Sequence, residues 1–429
     1  MAHEEEREVL PYKRFESAPR GMRAASIALV VLGTIVFVIA LMTDTSRAWR
    51  AYVMNWLFFT SIAMGAVMLA VVVTMTKGMW SRPVRRIALS FVAFLPVAYL
   101  LMLPTLFAAD HLFPWLHEGL QPGKEVWLNV PFLAGRQTIG LAVLFFFALA
   151  FAYWSLRPDI GLVREQTSGT LRALYDRLSS GWQGQALEEA RAHKRIAVLG
   201  PVMAILYAMV FSLVAWDYVM SLESHWFSTI IGPYFFMGAF LGGVAATGLL
   251  AITYTRALGV EDVFAASRRH DLGKLTFAFC VFWAYLTFSQ YIVIWYGNLP
   301  VEQSYVIHRF EPPYDTIAQA VFACLFVLPF FGLLGVTPKR RPGVYSLFAG
   351  IILFGLWIER FLLVYPSHYP AAESLPLGWQ EAGVGLLFAG LLLATLSWFA
   401  TRFPLFQLWL PASELELEGV PVEVGATDG

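Results

Sequence analysis

Charge is scarce in this sequence. Asp, Glu, Lys and Arg make up only 14% of its 429 residues, where a soluble domain carries about 25%. The charges that are present cancel, 30 basic against 30 acidic, so the chain has no basic excess with which to hold nucleic acid. Cysteine is limited to Cys280 and Cys324, far apart and in apolar surroundings, with no Cys-x-x-Cys or Cys–His spacing. That excludes an iron–sulfur cluster, a zinc site or a c-type haem held by this chain alone, and reads both thiols as core residues. A phosphate-binding Gly-x-x-x-x-Gly-Lys loop, a Gly-x-Gly-x-x-Gly turn and a nucleophile elbow are all missing, and the polar loops are too short to house a nucleotide-binding domain.

What the sequence has instead is grease: 58% hydrophobic and 16% aromatic residues, with a mean hydropathy of +0.62. Ten apolar runs are long enough to cross a bilayer as helices, about 24–42, 52–75, 87–107, 137–155, 196–219, 230–254, 273–296, 316–336, 344–364 and 382–400. The expected fold is therefore all-α and polytopic. The Glu-rich start and the lack of a small-residue cleavage site read the first run as a retained helix. The expected division is a tail over 1–23, helices one to four over 24–155, a linker over 156–195, helices five to ten over 196–402 and an acidic tail over 403–429. Arginine and lysine then orient the chain. Alternate loops and both tails carry 24 of them and the opposite loops carry five, Arg47, Arg50, Lys124, Arg136 and Arg309. The positive-inside rule puts both termini in the cytoplasm. In the linker, Leu171, Leu174 and Leu178 are spaced for a short amphipathic helix or lie in a solvated loop. The tail from Pro411, with Glu414, Glu416 and Glu418, reads as disordered or as a partner contact.

Histidine placement narrows the chemistry. The eight histidines, His3, His111, His117, His193, His225, His270, His308 and His368, all miss the middle of a span. Haem ligated across a bundle needs axial side chains projecting inward, so any electrons must rest on other chains. Ionisable groups inside spans are few and each is a candidate. Asp217 ends the fifth span, and Glu359 with Arg360 lies three-quarters along the ninth. Together with Gln290, Asn55, Asn129, Arg136 and Gln137 they all fall toward the outer side, so the polar machinery is expected in the outer half. Asp217, Glu359, Arg360 and the loop residue His225 are the proton-transfer candidates. Plainer roles stand beside these: an ion pair for Glu359–Arg360, a helix end for Asp217, interhelical glue for Gln290, and an interface belt for Trp226, Trp295 and Tyr296.

The seventh span, His270 to Pro300, organises the rest. Trp283, Thr287 and Gln290 share one helix face by their spacing, with Ser289 and Tyr291 on either side of Gln290 in the chain. A buried amide without a partner costs roughly 2 kcal/mol or more, so this face should meet protein or a ligand.

RPVRRIALSFVAFLPVAYLLMLP (Arg82 to Pro104), LNVPFLAGR (Leu128 to Arg136), WDYVMSLESHWFSTIIGPYFFMGAF (Trp216 to Phe240), HDLGKLTFAFCVFWAYLTFSQYIVIWYGNLP (His270 to Pro300) and KRRPG (Lys339 to Gly343) occur in order. In these stretches the chain resembles the F subunit of alternative complex III, a bacterial quinol:cytochrome c (or other electron acceptor) oxidoreductase. The resemblance spans roughly 50–365 and leaves out the tails and the linker. It implies the polysulfide-reductase type of membrane subunit, ten helices as two four-helix bundles plus two outer helices. It further implies a complex with a paralogous quinone-binding membrane subunit, an iron–sulfur subunit and multihaem cytochrome c subunits. Menaquinone or ubiquinone would be the small-molecule partner, with Ser289, Gln290 and Tyr291 as candidate hydrogen-bond partners for the quinone, no redox centre on this chain and a role in proton movement. Two rival readings remain open from the residues: a ligand-free scaffold within such a complex, and a stand-alone proton or solute transporter.

Overall fold

The computed structural model describes residues 10–18, 20–120 and 122–409. Among these there is no strand, and ten helices are long and apolar enough to span a membrane. The chain is an all-α, multi-pass membrane protein. The spans are α1 (Arg20–Thr43), α2 (Thr45–Met75), α3 (Met79–Phe107, interrupted by 3-10 turns) and α4 (Val130–Val163). A short α5 (Gly169–Leu178) precedes α6 (Gln185–Tyr218), α7 (Ile231–Ala257) and α8 (Ala266–Gly297). A second short helix, α9 (Pro300–Phe310), leads into α10 (Asp315–Leu333), α11 (Pro342–His368) and α12 (Trp379–Arg402).

The packing sorts these into two groups of four. Helices α2, α3, α4 and α6 form one, and α7, α8, α10 and α11 the other; α1 and α12 pair on the outside, with α12 resting on α2 and α3. Helix α2 is central: 83% of its most apolar window is buried, against 17% for α1. The groups meet along α2 and α7. A Cβ on Gly65 would lie 1.9 Å from the Ala239 carbonyl oxygen, and one on Gly243 would lie 2.1 Å from the Ala66 nitrogen. Lipid tails are as apolar as leucine, so helices in a bilayer gain mainly from close van der Waals approach. Small residues at this seam allow that approach.

Several helices run past the apolar stretch that marks them in the sequence. Helix α4 continues to Val163 and α6 begins at Gln185, so the expected linker over 156–195 shrinks to two turns flanking α5. The leucine spacing does produce a helix: Leu171, Leu174 and Leu178 pack on the core and Tyr175 is buried. The extensions also correct the expectation that polar groups gather in the outer half. At the other end, Arg86 and Asp159 are fully buried and bonded to each other, and Arg157 binds Glu188 at 2.6 Å. These residues read as loop charges because no apolar run contains them, yet each belongs to a helix and is neutralised by a partner. The first residues of the C-terminal tail are packed too. The backbone nitrogens of Leu408 and Trp409 donate to Asp159 at 2.9 and 3.1 Å. The acidic stretch Glu414–Glu418 lies outside the described residues.

Candidate functional site

The second helix group encloses a cavity of about 700 Å³. Helix α8 builds one wall with the face its spacing implied, Trp283, Thr287 and Gln290, and α11 faces it with Glu359. Helix α9 closes one end with Tyr305 and Arg309, and α10 completes the wall with Phe322 and Phe326. A single π-helical turn, Ala323–Val327, interrupts α10 here, and such turns re-aim side chains and recur at functional sites. Tyr285 and Phe288 stand at the rim and are 61% and 60% exposed. The cavity therefore opens sideways, where a bilayer would present lipid tails.

Glu359 is the acid of this cavity and is 1% exposed. Its Oε1 accepts from the Trp283 indole nitrogen at 2.8 Å, and its Oε2 accepts from Arg360 Nη1 at 2.8 Å. Tyr234, on α7, lines the same wall. Arg360 points away from the cavity, its guanidinium 4.2 Å from the centre of the Phe235 ring on α7. The carboxyl group is thus turned toward the cavity and the guanidinium toward the seam. A buried charge needs such a partner, and the tryptophan supplies a further donor to the ionised form.

Arg309 forms the opposite pole. It is 3% exposed. It donates to the Tyr305 carbonyl at 2.9 Å and to Ser367 Oγ at 2.8 Å, and it pairs with Glu223 at 3.4 Å. Its guanidinium lies 3.5 Å from the Tyr305 ring centre, and that ring stacks on Trp226 at 3.6 Å. Burial raises the pKa of the Tyr305 phenol, with Arg309 opposing that shift. Sequence reading counted Arg309 only as one of the outer basic residues. The available signal was the Tyr305-to-Arg309 spacing, which puts ring and cation on one face of α9.

The remaining candidates fall in different places. Ser228 donates to Gln290, so the amide is tied to the loop before α7. Tyr291 sits at the cavity rim, 46% exposed, while Ser289 and His225 do not line the cavity; His225 is exposed on the loop between α6 and α7. Asp217 belongs to the other helix group. It is fully buried and takes a two-pronged pair from Arg136 at 2.8 and 2.6 Å and a bond from Gln137 at 2.5 Å. The structure therefore joins Glu359, Arg360 and Gln290 around one half of the molecule and holds Asp217 in another. Sequence reading missed a third cluster. Glu381, fully buried at the start of α12, accepts from Arg47 at 2.9 and 3.0 Å and from the Tyr365 hydroxyl at 2.6 Å. Asn55 links the same place, donating to the Glu381 carbonyl and accepting from Trp357, both at 2.9 Å.

No protein-family model matches this chain, and no curated protein matches it.

Proposed function

We propose that the chain is a membrane subunit of a quinol-oxidising complex of the alternative complex III kind, and that the cavity between α8, α9, α10 and α11 receives the quinol head group. A quinol is a two-hydroxyl ring on an apolar tail, so it must enter from the lipid and meet polar groups at depth. The observation that carries the reading is Glu359: a buried carboxyl group set into the wall of a largely apolar cavity that opens toward lipid. Oxidation of a quinol to a quinone releases two electrons and two protons. A carboxylate beside a hydroxyl accepts one such proton; the electrons leave to haem or iron–sulfur centres on partner subunits. In this reading Gln290 and Tyr291 orient the ring, Arg360 holds the Glu359 charge, and Asp217 is structural. The subunit sits in a bacterial inner membrane with both termini cytoplasmic, beside a paralogous membrane subunit, an iron–sulfur subunit and multihaem cytochromes. The motif resemblance and the loop charge bias support these points.

The test is a photoreactive quinone analogue applied to the native complex, followed by peptide mapping. Labelling of α8 or α10 near Tyr285, Tyr291 or Phe322, competed away by quinol, is the expected result. Absence of label favours the scaffold reading, and recovery of the chain as an active lone transporter removes the complex.

A further inference from the structure

A second cleft, on the lysine- and arginine-rich side, is unlike the first. It encloses about 870 Å³ between the segment before α1, the turn leading into α5, and the adjoining ends of α1 and α12. Three guanidinium groups line it, Arg14, Arg23 and Arg402, against a single acid, Glu16. Arg14 is anchored, bonding the Tyr12 hydroxyl at 3.2 Å and the Thr401 carbonyl at 3.4 Å. Arg402 lies 5.2 Å from the Trp398 ring centre. Among the described residues neither Arg23 nor Arg402 pairs with an acid. Hydroxyls of Ser168, Thr170 and Ser397 stand on the same walls. The cleft thus has an excess of positive charge and a surplus of short hydrogen-bonding groups, the chemistry that holds a phosphodiester.

Its lower edge is apolar and exposed. Ile27 and Trp398 line the cleft and are 55% and 45% exposed, and Val31, one turn further along α1, is 52% exposed. Ala394, one turn from Trp398 on α12, is exposed as well. By the four-residue spacing these residues form a strip running from the cleft along the paired helices toward the bilayer centre. A free phosphate has no use for such a strip, whereas acyl chains do. We propose that this cleft is a binding site for the head group of an anionic phospholipid from the adjacent leaflet, with its acyl chains laid along α1 and α12. The site is independent of the quinol cavity and of its function.

The test uses the full chain in mild detergent, with native mass spectrometry reading retained lipid. The probes are phosphatidylglycerol and phosphatidylcholine of equal chain length, with inorganic phosphate as competitor. One phosphatidylglycerol should be retained in preference to phosphatidylcholine and should survive millimolar phosphate. Arg23→Gln with Arg402→Gln should weaken retention about thirty-fold, from roughly five-fold per arginine near a membrane surface. Both arginines are exposed, so the unfolding temperature of the double variant in the same detergent should match the parent. As a second readout, phosphatidylglycerol with brominated chains should quench tryptophan emission less in Trp398→Phe than in the parent. Equal retention of the two lipids, undiminished retention in the double variant, displacement by phosphate, or equal quenching in Trp398→Phe each overturns the proposal.

Discussion

The indole nitrogen of Trp283 on α8 donates to Oε1 of Glu359 on α11 at 2.8 Å, while the other carboxylate oxygen is held by Arg360. One hydrogen bond thus ties the two long walls of the cavity together and aims the acid between them. Changing Glu359 to Gln keeps the shape and removes the proposed proton acceptor. In the assembled complex, quinol turnover or coupled proton release should fall at least ten-fold, since a positioned acid or base contributes about 10²–10⁴. Unchanged turnover and proton stoichiometry would remove Glu359 from the path.

Trp283→Phe separates positioning from proton transfer. It keeps the acid and its bond to Arg360 but deletes the indole donor, so that Oε1 loses the hydrogen bond that ties it to α8. Affinity for a quinone analogue should drop several-fold while the subunit still assembles, and a buried hydrogen bond to a charged group is worth about 1.5–3 kcal/mol. Titration of analogue binding in both variants checks this; an affinity equal to the parent's shows that the indole does not position the acid.

Asp217 and Arg136 should behave as a structural pair. Asp217→Asn alone strands a buried cation, and breaking such a pair costs about 3–5 kcal/mol. Joining it with Arg136→Gln should recover much of that loss. Thermal unfolding in detergent reads both, and a double variant no more stable than the single one contradicts the pairing. Turnover of whatever folded subunit remains should be near normal, unlike Glu359→Gln.

The α2–α7 seam gives a prediction about packing. Gly243→Ala forces a methyl to 2.1 Å from the Ala66 nitrogen, and overpacking costs about 1–3 kcal/mol or more. Gly350, exposed within α11, has open space where a Cβ would sit; Gly350→Ala should be neutral or stabilising by up to about 1 kcal/mol. Unfolding temperatures that move together in the two variants would show that the seam is not tight.

Sequence legibility followed the kind of information each feature needs. The ten spans could be read because hydropathy is a local sum, and the face of α8 because helical spacing is local. The boundaries of α4 and α6 could not, since Arg157, Asp159 and Glu188 look like loop residues until their partners are known. Asp217 stands out in the sequence as an ionisable group within a span, yet nothing in the linear order links it to Arg136 and Gln137 at the same outer level. Glu381 carries no signal in the sequence, because it sits at the edge of its apolar run and meets Arg47 across 334 residues of chain.

From the sequence alone came a membrane-embedded, all-helical chain, its ten crossings, its charge asymmetry between loops and the shortlist of intraspan polar residues. These are properties of composition and of neighbours a few residues apart, and the low-dielectric bilayer leaves a chain of this kind little choice but helices. Glu359 and Asp217 are each held by an arginine; only the tertiary structure decided which of them also faces a cavity, because that depends on which distant helices pack together. The two look alike in one dimension. They differ because α11 lies beside a gap at α8 and α10, while α6 lies flush against α4.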